Sequence, residues 1–347
     1  MPTLWFILVA FMLTMYVLLD GFDLGAGVIH MFAARNDGER RAILRAIGPV
    51  WDGNEVWLIA AGGTLFFSFP VLYASSFSGF YLPLIMVLWF LMLRGIAIEF
   101  RSHLKNNVWA SFWDGLFFLG SALLAIFYGA ALGNVIRGVP LDSHGNFFEA
   151  LWTDFNPYSP TPGILDWYTI LTGLLAFTAL TAHGANYIAV KTEGMINMRA
   201  RRISRVAWLA TLVLTVLATI ATFSVQPQVG MSFFSRPWGF IFPIVGLVGL
   251  IGMGYFNIKQ RDMPALLSSG AFILGMLSSA AFGLYPLVLP AVNPANSLTI
   301  QNASASQYGL TVGLVWWSIG MILAAIYFIL TYRLFWGKVN VKETEGY

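Results

Sequence analysis

The chain has 347 residues, 58% of them hydrophobic and only 10% charged, with a formal net charge of +3. A mean hydropathy of +0.73, and a charged fraction far below the roughly 25% usual in soluble domains, exclude a soluble globular protein; no nucleic-acid partner is expected. With no cysteine, the chain cannot form disulfides, thiolate metal sites, iron–sulfur clusters or covalent c-type haem, so any cofactor must be held non-covalently.

Nine apolar windows of about 19 residues follow one another along the chain: 4–32, 52–73, 77–98, 113–135, 164–190, 204–224, 238–258, 264–288 and 309–334. Each is long enough to cross a bilayer as a helix, for which about 20 residues suffice. The first has no basic residue ahead of its apolar stretch and no small-residue cleavage site behind it, so it reads as a retained span rather than a removable signal peptide. Basic residues fall in alternate connections. Arg35, Arg40, Arg41 and Arg45 follow span one, and Arg101 and Lys105 follow span three. Lys191, Arg199, Arg201, Arg202 and Arg205 follow span five, Lys259 and Arg261 follow span seven, and Arg333, Lys338 and Lys342 close the chain. The opposite connections hold only Arg137 and Arg236, while Arg94 lies within span three. The positive-inside rule then places the amino terminus outside and the carboxyl terminus in the cytoplasm. The long outside connection, 136–163, carries Asp142, Glu149, Asp154 and four prolines, which suits an irregular surface segment. The chain reads as a single polytopic membrane domain over 1–347: four spans within about 4–135, the outside loop, further spans within about 164–335, and a cytoplasmic tail, 336–347.

Ionisable residues inside spans are costly and mark functional positions by default. Span one contains Asp20-Gly-Phe-Asp23-Leu-Gly-Ala-Gly27. At 100° per residue Asp20, Asp23, Gly27 and His30 share a face, and Gly21 and Gly25 form a small-residue ridge beside it that permits close packing. Span two opens with Trp51-Asp52-Gly-Asn54-Glu55-Val-Trp57, which is expected to set Trp51, Asp52 and Glu55 on one face, within reach of Asp20 and Asp23. Glu99 ends span three and Asp114 begins span four, so all six carboxylates lie in the cytoplasmic half of the first four spans, whereas spans six to nine contain none. A carboxylate in a low-dielectric setting holds its proton more tightly and exchanges it near neutral pH, while a cation such as Arg94 opposes this. Asp52, Asp20, Asp23 and Glu55 thus form a candidate proton entrance. The alternative is structural: helix-terminal acids satisfying free N–H groups, or partners of Arg94 and Arg101 that lock helices together.

Histidine bears on haem. A b-type haem takes axial His or Met ligands from facing helices. His103 and His144 lie in connections, His30 ends span one, and His183 is alone within span five. A lone span histidine is more often hydrogen-bonded to a neighbouring helix, so no haem ligation is expected. No metalloprotease, phosphate-loop or nucleophile-elbow motif is present.

The Asp20–Gly27 segment, the basic Arg35-Asn-Asp-Gly-Glu-Arg-Arg41 stretch, Gly48-Pro-Val-Trp51-Asp52-Gly-Asn54-Glu55-Val-Trp57-Leu58, Phe77-Ser-Gly-Phe-Tyr81 and Arg94-Gly-Ile-Ala-Ile-Glu99-Phe-Arg101 together resemble subunit II of cytochrome bd type quinol oxidases. The likeness is strongest over 15–115 and continues collinearly through Gly133-Asn134, Gly283-Leu-Tyr-Pro286 and Gln301-Asn-Ala-Ser304. It implies an all-α membrane subunit of about nine helices, arranged as two four-helix bundles plus one peripheral helix, docked against a haem-bearing subunit I in a bacterial or archaeal plasma membrane. By the same resemblance subunit I carries quinol oxidation and the haems, two b-type and one d-type or a b-type variant, while this chain binds none. The resemblance gives Asp52 a place in a cytoplasmic proton path, with Asp20 and Asp23 matching the adjoining acidic motif, and it admits small single-helix accessory subunits, lipid and quinone as further partners. A proton-coupled secondary transporter is the rival reading. The nearly uncharged second half counts against it.

Overall fold

The computed structural model describes residues 1–339; Lys342 and the rest of the expected tail from 340 lie outside the described residues. Among the described residues there are twelve α-helices: α1 (Pro2–Ala33), α2 (Asp37–Ile47), α3 (Trp51–Ser68), α4 (Pro70–Gly79), α5 (Tyr81–Phe100), α6 (Asn107–Arg137), α7 (Trp167–Lys191), α8 (Gly194–Val225), α9 (Pro227–Ser235), α10 (Ile241–Ile258), α11 (Asp262–Leu284) and α12 (Gln307–Leu334). Eight of these are long and apolar enough to cross a membrane: α1, α5, α6, α7, α8, α10 with the turn before it, α11 and α12. The remaining expected span, 52–73, divides into α3 and α4 at Phe69, because Pro70 cannot continue the preceding helix. Asp52, Asn54 and Glu55 in the first turns of α3 dilute its hydropathy. Its 18 residues still rise about 27 Å, close to the thickness of the hydrocarbon core.

Two sequence expectations are corrected at the helix ends. The basic stretch after span one is a helix, α2, whose Asn36 cap accepts a hydrogen bond from the Glu39 N–H while the Glu39 carboxylate accepts one from the Arg35 N–H. Its buried face is Ala42, Ile43, Leu44, Ala46 and Ile47. The α8 helix begins ten residues before the expected span, so Arg199, Arg201, Arg202 and Arg205 lie on a helix rather than in a loop. Among the described residues, the otherwise all-helical chain includes one short two-stranded antiparallel hairpin, β1 (Leu287–Leu289) with β2 (Leu298–Thr299), between α11 and α12.

Helices α1, α3, α5 and α6 pack as one group and α7, α8, α10 and α11 as another, joined where α1 and α6 meet α7, and α12 lies at the periphery against α3. Small residues set the close crossings. A methyl group at Gly25 would overlap the Leu180 carbonyl and the Gly184 backbone of α7, and one at Gly27 would overlap Ser121 of α6. The Gly21/Gly25 ridge is therefore consumed inside the chain, against α7, and is not a free surface for a partner. Two polar ends result. At one, Tyr187 of α7 donates to the Ala46 carbonyl of α2, Arg199 pairs with Glu39, and Lys191 donates to the Phe335 carbonyl. At the other, the Ala305 N–H donates to the Ser68 carbonyl, Gln226 donates to the Ile136 carbonyl, and the loop after α6 meets the segment after β1.

Candidate functional site

The functional cluster is built where α1, α3, α5 and α12 converge. On α3 the inward line is Trp51, Asn54, Trp57 and Ala61, all buried. Glu55 is half-buried beside this line and Asp52 is turned away from it. The guanidinium of Arg94, fully buried on α5, donates to Asp20 of α1 at 2.6 Å and to Glu55 at 2.9 Å. Three elements thus meet on one cation. Asp23 lies less than a turn beyond Asp20 and accepts a hydrogen bond from Asn54 Nδ2 at 2.8 Å. Asn54 Nδ2 also lies 3.3 Å from the Leu19 carbonyl, and its Oδ1 accepts from the Tyr332 hydroxyl of α12 at 2.9 Å. One carboxylate oxygen on each of Asp20 and Asp23 is buried without a protein hydrogen bond among the described residues. One turn before Asp20, the Tyr16 hydroxyl shares a 2.7 Å hydrogen bond with that of Tyr128 on α6.

The expected quartet is therefore divided. Asp20, Asp23 and Glu55 are drawn together by Arg94 and Asn54, but Asp52 does not share their face. It lies on the outer line of α3 with Val56, Ile59 and Phe66, all exposed, because a 100° step from the buried Trp51 points it outward. It makes no ion pair or hydrogen bond among the described residues. The aromatic members of the motif pack: the Trp51 ring lies against Gly95, and Trp57 meets Phe11 and Phe328 edge-on or tilted. Glu99 is exposed and outside the cluster.

A second cluster, not anticipated as a unit, pins α2 to the bundle. Asp114 of α6, buried, accepts from Arg101 at 2.6 Å and Arg40 at 2.7 Å, and lies 2.6 Å from Nε2 of the buried His30. Arg101 also reaches Asp37, whose carboxyl is pushed up by burial but held below its usual range by the stronger pull of Arg101 and Arg41. The hydrogen bond from Arg199 likewise holds Glu39 low.

A third cluster lies at the opposite end. Arg137, buried, pairs with both Glu149 and Asp166, donating to Glu149 at 2.7 Å, and it donates to Asn134 Oδ1 at 2.7 Å. Sequence reading placed Glu149 on an irregular surface and counted Arg137 as a loop cation. The signal available was local: Asp166 begins a capping box with Thr169 and so had to be the fixed start of α7.

The two span histidines both have protein partners. His183 is buried with Nε2 facing the Leu18 carbonyl at 2.9 Å and Nδ1 sharing a 2.8 Å hydrogen bond with Ser269. His30 is committed to Asp114, and His103 and His144 are exposed. Among the described residues no group of three or more potential ligands could hold a metal ion.

The sequence profile of a family described as cytochrome bd terminal oxidase subunit II matches residues 1–335. The chain is 30% identical to cytochrome bd-I ubiquinol oxidase subunit 2 of Escherichia coli K12, with 99% of this chain and 96% of the relative aligned. It is 31% identical to cytochrome bd ubiquinol oxidase subunit 2 of Bacillus subtilis 168, over 99% and 98%. A probable cytochrome oxidase subunit 2 from Haemophilus influenzae is 30% identical over 98% and 95%. In fold, the chain superposes on a chain of the bd oxidase from Geobacillus thermodenitrificans with a TM-score of 0.74 at 17% identity, covering 96% of this chain and 98% of that one.

Proposed function

Since the chain belongs to the cytochrome bd terminal oxidase subunit II family, a membrane oxidoreductase complex, we propose that it is the haem-free half of a quinol:oxygen oxidoreductase and that it delivers protons from the cytoplasm to a haem-bearing subunit I. The relatives are bacterial, and the proposed setting is a bacterial plasma membrane. The basic residues gathered at the α2 end support an orientation with that end in the cytoplasm, by the positive-inside rule, and the amino terminus outside.

The observation that carries the proton role is the position of Asp52. It is an acid on the outer, otherwise apolar line of α3, next to the half-buried Glu55 and the buried Asp20 and Asp23. A carboxylate on a lipid-facing surface is costly, and one that meets a protein partner is not. The outer face of α3 therefore suits the docking surface for subunit I, with Asp52 at the seam. Behind it, Glu55, Arg94 and Asp20 form a path of polar atoms into the bundle, and the Tyr16 and Tyr128 hydroxyls continue it past Asp20. Arg94 fixes the geometry and balances two of the charges. The unpartnered oxygens of Asp20 and Asp23 are where water or a proton would be received.

In the proposed reaction two quinols are oxidised to two quinones and one oxygen is reduced to two waters. Quinol protons leave to the outside and the protons consumed in water formation come from the inside, which contributes to the proton gradient. This chain's part is confined to holding subunit I and handing on protons. Purification of the native complex tests the assignment. A co-purifying subunit that carries all the haem bands in a reduced-minus-oxidised spectrum, together with quinol-dependent oxygen consumption, is expected; a haem-free homomer that consumes no oxygen would overturn it.

A further inference from the structure

We infer that the α2 end of α8 carries a binding site for the phosphate of an anionic glycerophospholipid, formed by Arg202 and Arg205. A surface cleft of about 470 Å³ is lined by Met198, Arg201, Arg202, Arg205, Val206 and Gln260. The four arginines of this helix end divide into two kinds. Arg199 is paired with Glu39, and Arg201 is held bidentate by Asp262 at 2.7 and 2.8 Å while it also donates to the side chain and carbonyl of Gln260. Arg202 and Arg205 are exposed and have no carboxylate partner among the described residues. Two adjacent guanidiniums without a counter-charge, beside a wall fixed by Arg201, suit a phosphodiester, which guanidinium binds with paired hydrogen bonds.

The wall is rigid for a stated reason. Gln260 adopts a left-handed backbone conformation, φ 56°, in the connection between α10 and α11, and a residue so placed persists where its surroundings over-determine it. Here Arg201 and Asp262 do so. From the cationic mouth an exposed apolar track runs along α8 through Val206, Leu209, Val213 and Val216. These ten or so residues rise about 15 Å, the depth of one leaflet. Ile251, Tyr255 and Ile258 of α10 offer a parallel exposed track, and Trp208 holds the two helices together by donating to the Leu250 carbonyl at 2.8 Å. The site thus presents a phosphate mouth above an acyl surface, the two chemistries of one lipid, which separates it from a site for free phosphate.

The inference rests on the chain being a membrane protein and not on the proton role, so the two fail separately. The test uses the purified two-subunit complex, wild type and an Arg202→Gln/Arg205→Gln double variant, exchanged into detergent micelles with phosphatidylglycerol or phosphatidylcholine and examined by native mass spectrometry. Both side chains are exposed, so the variant is expected to assemble with unchanged oxygen consumption. At about 1 kcal/mol for each basic residue at an anionic surface, phosphatidylglycerol affinity should fall roughly thirtyfold, with phosphatidylcholine retention unchanged. Equal retention of phosphatidylglycerol by both proteins overturns the inference. So does loss of a co-purifying protein from the variant, which would make the arginines a protein contact, or displacement of the lipid from wild type by inorganic phosphate.

Discussion

Arg94 is the residue on which the acidic cluster turns. Its guanidinium is fully buried and serves Asp20 and Glu55 from separate helices. Removing one member of a buried ionic set leaves the others desolvated without compensation, at a cost of about 3–5 kcal/mol. Arg94→Gln is accordingly expected to lower the thermal unfolding midpoint of the detergent-solubilised complex by several degrees, whereas Glu55→Gln, which removes a partly exposed partner, should shift it much less. Equal midpoints for wild type and Arg94→Gln would show that Asp20 and Glu55 are satisfied by water instead. Glu149 supplies a pH-dependent counterpart at the other end. Burial pushes its carboxyl up to about 7 against the pull of Arg137. A group whose folded pKa is raised binds its proton more tightly in the native state. Its contribution is complete below the ordinary glutamate range and is lost as pH rises through about 7. Resistance of the 138–166 segment to limited proteolysis should therefore decline from pH 5 to pH 8, and Glu149→Gln, neutral throughout, should flatten that decline. A steeper decline in the variant would contradict the assignment.

At the scale of elements, the crossings rest on glycine. Gly25 and Gly184 bring α1 and α7 into backbone contact, and this contact carries α1, with Asp20 and Asp23, to its position between the two groups of helices. A side chain at Gly25 meets backbone, which cannot swing aside, so Gly25→Val should destabilise by about 1–3 kcal/mol or more through overpacking and reduce the yield of assembled complex. A Gly115→Ala variant on α6, where added atoms meet nothing within 4 Å, is the control and should behave as wild type. The same elements show what sequence could reveal. Hydropathy located the spans because apolar runs of that length, in a chain this poor in charge, have too little polar surface to face water and are at home in a bilayer. It missed α2 because eleven residues dense in arginine read as a loop, although Asn36 with Glu39 three residues on was a capping signal and Ala42, Ile43 and Ile47 an apolar face. It started α8 late because an amphipathic, basic helix end does not register as apolar.

At the scale of the whole molecule, the grouping of carboxylates at one end of the first four spans was legible, since intramembrane acids are rare enough to stand out individually. The partnership was not. Helical spacing places residues on a face but does not say which face is inward, and for α3 the inward line is that of Trp51, Asn54 and Trp57, leaving Asp52 outside. Nor does spacing say that Arg137, Glu149 and Asp166, spread across a long loop, converge. The outward aspect of Asp52 bears on function, because an exposed acid with no ion pair among the described residues has less to do for the fold of this chain than the acids behind it. The decisive measurement is the quinol oxidase turnover of the purified two-subunit complex bearing Asp52→Asn, read together with its haem content. The substitution keeps shape and removes the proton-exchanging group. Turnover should fall about tenfold or more, the usual consequence of losing a proton-transfer step, with haem content and subunit stoichiometry unchanged. Normal turnover in a fully assembled variant would contradict a proton path through Asp52, and loss of haem or of subunit I would show that Asp52 holds the interface together instead.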